Sequence, residues 1–339
     1  MGNITINDIA KISGVAKSTV SRVLNGATNV SDETREKVLK VIEENKYQPS
    51  AVARGLSTNE TNVIGVIVPN SSSVFWGQVL EGVSEIAARH NCTVLFCVTN
   101  NNWKCEQAAI KRMRGERVKG LLITPSIGYT VGQRGNKKNF FQDLEDLRCP
   151  VVFIDRSIRN SKWSGVYFDN YNGAYMATDK LIQKGFKNIG ALISDQNLQI
   201  GQDRKEGFLT ALEDAEITPN SEVIYYGDTQ ISLRDAYEIT EDWIQTKKLP
   251  EAVFLSGAMI ANGFFKALIR HGLVPGKDVV CVGFDYVEVL DILNLDYSYI
   301  ERDAADMGRI AARMLFEDND GDKRDHIIRA DLILGKALQ

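Results

Sequence analysis

The chain is poor in the residues that build covalent frameworks, metal sites and catalytic centres. Its five cysteines, Cys92, Cys97, Cys105, Cys149 and Cys281, are scattered and form no C-x-x-C pair. Neither a disulfide scaffold nor a zinc site is indicated, and no metal or cofactor is expected. The three histidines, His90, His271 and His326, lie at or near the ends of helix or strand patterns without a suitably placed partner. G-x-S-x-G, P-loop and H-E-x-x-H motifs are missing, which argues against an enzyme. The glycines of "SIGYTVGQRGNKK" lack the strand, glycine and helix order of a nucleotide site, so this stretch reads as an exposed loop. No run approaches the ~20 apolar residues that cross a bilayer. The start, "MGNITINDIAKISG", lacks the basic residues and apolar stretch of a secretory signal, so a cytoplasmic location and no membrane partner are expected. Positive charge is not in excess either. The formal net charge is −4, and residues 1–60 hold eight Lys and Arg against seven Asp and Glu. Bulk charge excludes a nucleic-acid coat and leaves any DNA-reading surface to be argued from pattern.

What is present is the material of a large globular chain. Hydrophobic residues make up 44% and charged residues 25% of 339 residues, enough for a sizeable core and a length that suggests two or three domains. Residues 1–47 carry three short helical patterns. "TINDIAKIS" has Thr5 as N-cap and places Ile6, Ile9, Ala10 and Ile12 on one face. Gly14 interrupts it, and "KSTVSRVLN" resumes with Val20, Val23 and Leu24 inward, Val15 packing just ahead of them. The third begins at Ser31, has Asp32 and Glu33 in its first turn, and carries Val38, Val41 and Ile42 as its stripe. Residues 48–60 read as a linker in which "SAVARGLS" can form two helical turns after Pro49.

From residue 61 apolar strands alternate with amphipathic helices. "VIGVIVP", "TVLFCVT", "GLLITP" and "PVVFID" form one strand series; "NIGALIS", "SEVIYY", "AVFLSG" and "DVVCVGFD" form a second. Such alternation implies parallel sheets covered on both faces, hence an α/β domain of two doubly wound lobes behind an all-α headpiece. The lobes are placed at about 61–160 plus 289–323, and about 161–288 plus 324–339. Open parallel sheets bind ligands beyond the carboxyl ends of their strands, which points to a cleft between the lobes.

Residues 5–25 meet the requirements of a helix-turn-helix: two short helices, a glycine turn, and a second helix with a free polar side. Lys17 and Arg22 can donate to guanine O6 and N7, and Ser18 can reach several base edges. Thr19, Ser21 and Asn25 suit phosphate oxygens. A solvated amphipathic helix would explain nine such residues taken alone.

The match extends much further. "TINDIAKISGVAKSTVSRVLNG" with "VSDETREKVLKVIEENKYQPSAVARGL" closely resembles the N-terminus of the lactose-repressor/galactose-repressor family of bacterial transcription regulators. "VIGVIVP", "PVVFIDR", "FDNYNGAYMAT", "DRKEGF" and "VGFD" continue the likeness, in the family's order, over nearly the whole chain. The resemblance implies a sequence-specific repressor of carbohydrate-utilisation genes, acting as a homodimer on double-stranded operator DNA. It adds Thr5, Ser31 and Thr34 to the phosphate contacts. It also implies a hinge helix that places Ala53 and Leu56 in the minor groove, where apolar wedges bend DNA. Ala16 departs from a frequent serine, and Gly55 weakens the hinge helix by roughly 1 kcal/mol relative to alanine.

The resemblance further implies a small carbohydrate-type effector between the lobes, contacted by Ser73, Phe75, Trp76, Arg204, Asp285 and Arg302. Phe75 and Trp76 keep an aromatic pair suited to a sugar face, although each can equally pack into a core. Arg204 and Asp285 supply a guanidinium and an acid, for which a salt bridge between lobes is the competing explanation. Gly257 and Ala258 replace a common asparagine–aspartate pair, and Arg302 stands where the family has glutamine. Arg204 and Arg302 together suggest an anionic effector, a sugar acid or phosphosugar, unless Arg302 pairs with a carboxylate such as Glu301 or Asp303. The alternatives are a same-family regulator controlled by a protein corepressor, and a pure sugar-binding protein, which would have no use for residues 1–60.

Overall fold

The structure is a computed structural model and describes residues 4–24, 26–47, 61–71, 73–126, 136–317 and 322–339. Among them the chain divides into two compact units, one up to Asn62 and one from Val63 onward. Asn25 and the hinge residues Ala53 and Leu56 lie outside the described residues.

The first unit contains α1 (Ile6–Ser13), α2 (Lys17–Leu24) and α3 (Asp32–Glu44). Ile9, Ala10, Val20, Val23, Val38 and Val41 make its core, with Ile4, Ile6, Val15, Leu24, Val30, Ile42 and Tyr47 half-buried around it. Gly14 closes α1 in the left-handed conformation at φ 64°, and the amide of Val15 reaches back to the Ala10 carbonyl at 3.1 Å. A residue with a Cβ is strained there, so this glycine sets the turn. Ile12 departs from expectation: it is 54% exposed. Ser13 takes the inward position instead, its hydroxyl donating to the Ile9 carbonyl at 2.6 Å and so entering the core without an unpaired proton.

The second unit holds two six-stranded sheets. In the first lobe β1 (Val63–Val68), β2 (Thr93–Val98), β3 (Gly120–Ile123), β4 (Val151–Ile154), β5 (Ser164–Phe168) and β11 (Asp325–Ile328) run in the order β11-β5-β4-β3-β1-β2. In the second, β6 (Ile189–Ile193), β7 (Ile224–Tyr226), β8 (Ala252–Leu255), β9 (Val280–Phe284), β10 (Ser298–Glu301) and β12 (Asp331–Ile333) run β12-β10-β9-β8-β6-β7. Pairing is parallel except between β10 and β12. The first lobe carries α4 (Val74–Arg89), α5 (Trp103–Gly115), α6 (Asn136–Glu145) and α12 (Ala304–Phe316); the second carries α7 (Asn170–Gln183), α8 (Gln199–Asp214), α9 (Leu233–Gln245), α10 (Ala258–Arg270) and α11 (Glu288–Ile292). Close approach of α4 and α12 depends on glycine: a Cβ at Gly82 would stand 1.9 Å from the Ala305 carbonyl oxygen, and one at Gly308 2.1 Å from that of Val79.

The chain crosses between lobes after β5, after β10 and after β11, so the boundaries expected near 160, 289 and 324 are corrected. β5 and β11 belong to the first lobe, and β10 to the second. Strands of only four or five residues carry no mark of which sheet they join; long-range pairing decides it. These crossovers carry Phe168 at the end of β5 and Arg302 just after β10 to the edge where the other strands also end.

Candidate functional site

In the helix-turn-helix unit, Val20 and Val23 are fully or nearly buried while Lys17, Ser18 and Arg22 are exposed, and Thr19 and Ser21 are half-buried. Lys17, Ser18, Ser21 and Arg22 fall one turn apart on a single face, the geometry of a helix able to enter a major groove. Neither Lys17 nor Arg22 forms an ion pair among the described residues. Three of the expected phosphate contacts, Thr5, Ser31 and Thr34, are engaged locally. Thr5 donates its amide and hydroxyl to the Asp8 carboxylate at 2.9 and 2.7 Å, and these bonds hold the Asp8 pKa below the usual range. Ser31 caps α3, its hydroxyl oxygen accepting from the Thr34 amide and its proton going to the Thr34 hydroxyl at 2.8 Å.

In the second unit the expected effector residues do not all meet. Arg204, Asp285, Phe75 and Arg302 converge. Trp76 does not: it is 5% exposed and belongs to the first-lobe core, edge-on to Phe75 at 4.9 Å. Being two successive helical residues, the pair points in directions about 100° apart, so only Phe75 faces the cleft side. Ser73 precedes α4, and its amide donates to Asn70 at 3.2 Å.

Arg302 follows β10 and is saturated with acid. Its Nε and Nη2 donate to the two oxygens of Asp285 at 2.7 and 2.9 Å, and Nη1 to Asp155 of the first lobe at 3.4 Å. The guanidinium lies 4.3 Å from the Phe75 ring centroid and 5.2 Å from that of Phe168. Burial opposes its charge, but Asp285 and Asp155 outweigh burial and raise its pKa above the ordinary value. The pairing partners are therefore neither Glu301 nor Asp303. The anionic-effector expectation loses its electrostatic basis, since the two arginines face three carboxylates at the strand ends, Asp155, Asp195 and Asp285.

Arg204, on α8, is 6% exposed. Its Nε donates to Asn170 at 2.9 Å, Nη1 donates to the Ser256 carbonyl, and its plane covers Phe284 at 4.0 Å. Burial, with Arg302 nearby, lowers its pKa to about 10, so it stays charged at neutral pH. One nitrogen, Nη2, is buried without a hydrogen-bond partner among the described residues. Among the described residues the same holds for the oxygen Oδ1 of Asp195, whose other oxygen accepts from Ser194 at 2.9 Å. An orphan donor and an orphan acceptor in one charge cluster form an incomplete site, because each costs roughly 1–3 kcal/mol unpaired.

Asp155, Phe168, Asn170, Asp195, Ser256 and Phe284 were not singled out from sequence. A signal existed: "VVFID", "ALISD" and "VCVGFD" each end a buried strand in aspartate, and all three adopt left-handed backbone, φ 65°, 61° and 72°. Aspartate tolerates that conformation, and it turns the carboxylate out of the strand toward the ligand-binding edge.

Comparisons with known proteins agree with this construction. The model of bacterial regulatory proteins of the lacI family matches residues 5–50. The model of periplasmic binding proteins and sugar binding domains of the LacI family matches residues 61–333. The HTH-type transcriptional repressor PurR of Edwardsiella ictaluri is 32% identical over 92% of this chain and 89% of its own. The ribose operon repressor of Halalkalibacterium halodurans is 29% identical over 92% and 89%. The lac repressor dimer bound to operator and an anti-inducer shares the fold, with a TM-score of 0.86 at 22% identity over 99% of both chains. On the match of both segments and on relatives that span almost its full length, the chain belongs to the lacI family of bacterial regulatory proteins and is a DNA-binding transcriptional repressor rather than an enzyme.

Proposed function

We propose that this repressor binds a two-fold symmetric operator as a homodimer and is controlled by a small, uncharged polyhydroxylic effector held between its lobes. The observation that carries the effector class is the orphan pair at the cleft. A hydroxyl can accept from Arg204 Nη2 and donate to Asp195 Oδ1, whereas an anion would meet Asp155, Asp195 and Asp285. Gly257 supplies no side chain at the same edge and leaves open space there.

DNA reading rests on Lys17, Ser18 and Arg22, with Thr19 and Ser21 toward phosphates; Thr5, Ser31 and Thr34 would exchange their local bonds for phosphate oxygens. Asn25, Ala53 and Leu56 keep the roles implied by the family resemblance. The homodimer is supported by the exposed apolar run Tyr286, Val289, Ile292 and Leu293 around α11. A symmetric dimer places its recognition helices about one DNA turn apart.

Selection of duplexes from a random pool by the full chain tests the first half. A palindromic consensus with half-sites one turn apart is expected, and an asymmetric consensus would reject it. For the second half, thermal shift should respond to neutral sugars and not to sugar acids or phosphosugars, with the response lost in Arg204→Gln. Stabilisation by anions alone would reject the uncharged class.

A further inference from the structure

The side chain of Arg302 is placed as a bound ligand would be. It comes from the crossover after the second lobe's β10, yet its guanidinium is held from both lobes: Asp285 and Phe284 on the second, Asp155, Phe75 and Phe168 on the first. It is 6% exposed, stacks on the aromatic face that a sugar ring would use, and fills both oxygens of the acid expected to take a ligand hydroxyl. The fork geometry explains why one side chain can do this: Nε and Nη2 form a parallel pair with one carboxylate while Nη1 points toward another. A glutamine at this position has one two-donor amide and cannot grip Asp285 through two nitrogens while also reaching Asp155.

We propose that Arg302 is a tethered surrogate ligand that latches the two lobes closed in the absence of effector, so that an effector acts by displacing the guanidinium from Phe75 and Asp285. This rests on the reading of the cleft as the effector site. It inverts the usual order of events, in which ligand closes an open cleft: here the closed arrangement belongs to the free protein, and the ligand must compete with a side chain already in place. The latch lowers the apparent affinity of any effector by the fraction of time the guanidinium occupies the site.

The test uses the full chain without DNA or effector. Small-angle scattering should show a larger radius of gyration for Arg302→Ala than for the parent protein. Millimolar methylguanidinium, which can refill the vacated position, should return the variant to the parent value and leave the parent unchanged. Asp155→Ala removes only the ionic arm to the first lobe, leaving Phe75 and Phe168, and should give a smaller expansion, so the latch remains testable even if Arg302→Ala does not fold. Identical scattering of the parent and of every folded variant would overturn the latch, as would expansion of Arg302→Ala that methylguanidinium does not reverse. Because scattering needs no sugar, lobe opening in a protein that no neutral sugar stabilises in thermal shift would uphold the latch while rejecting the effector reading. A sugar response in a protein whose lobes do not open in Arg302→Ala would do the reverse.

Discussion

Two pairs of cations in this chain are used in opposite ways. Lys17 and Arg22 stand exposed on α2 and form no ion pair among the described residues, whereas Arg204 and the side chain of Arg302 are buried and enclosed by aspartates, amides and aromatic rings. The first pair contributes little to folding and is available to an external polyanion, where phosphate and base contacts set affinity. The second pair is part of the folded structure, and its charges are balanced inside the molecule. Arginine content alone therefore says nothing about anion binding; the number of carboxylates brought within reach decides it.

Removing a buried cation should have the largest effect. Arg204→Ala strips Asn170 and the Ser256 carbonyl of their donor, and should cost roughly 3 kcal/mol in urea unfolding of the α/β unit. A loss below about 0.5 kcal/mol would place Arg204 with the surface cations instead.

Glu106 sharpens the contrast from the acidic side. It is buried on α5, accepts from the Ser126 amide at 2.5 Å, and burial pushes its pKa up to about 7 from the ordinary 4.5, against the opposing pull of Ser126 and Arg156. Protonation is thus favoured in the native state. Stability should be highest below about pH 4.5 as far as this group is concerned, fall as pH rises through 7, and level off above, by up to roughly 3 kcal/mol. Urea melts between pH 5 and 8 should show that slope in the parent protein and a flatter one in Glu106→Gln; parallel slopes would refute the assignment.

Arg22→Ala should leave stability within about 0.5 kcal/mol and weaken operator binding by roughly 1–3 kcal/mol, with relaxed preference at one base position. Equal weakening on all sequences would make Arg22 a phosphate contact. Smaller still, Ser31→Ala should destabilise the helix-turn-helix unit by about 1 kcal/mol through loss of the α3 cap. If denaturation is unchanged while DNA binding weakens, the hydroxyl serves phosphate rather than the cap. Gly257→Asn should be nearly neutral for stability, since its backbone is extended at φ 173° and a Cβ there meets nothing within 4 Å; calorimetry would show whether the added amide changes sugar affinity.

The helix-turn-helix could be read from the sequence almost residue by residue, because its determinants are local. A glycine after one turn of Ile9, Ala10 and Ser13, an apolar triad at helical spacing, and a serine cap ahead of Asp32 and Glu33 all act within a few positions of one another. Ile12 is the exception, since on so short a helix a neighbouring serine can take the inward place by bonding back to its own turn. The alternation of strands and helices likewise announces two doubly wound lobes. The same local patterns cannot separate Phe75 from Trp76, which share chemistry and differ only in the direction of one Cα–Cβ bond.

The sequence by itself determined the family, the exposed polar face of α2, the class of each lobe and the presence of Arg204, Asp285 and Arg302 at strand ends or on α8. Only the tertiary structure decided what those charges do. Asp155 and Arg302 are 147 residues apart and meet because three crossovers bring the ends of both sheets together. The pairing of charges depends on distance and burial, quantities set by the long-range strand order and invisible to any local pattern.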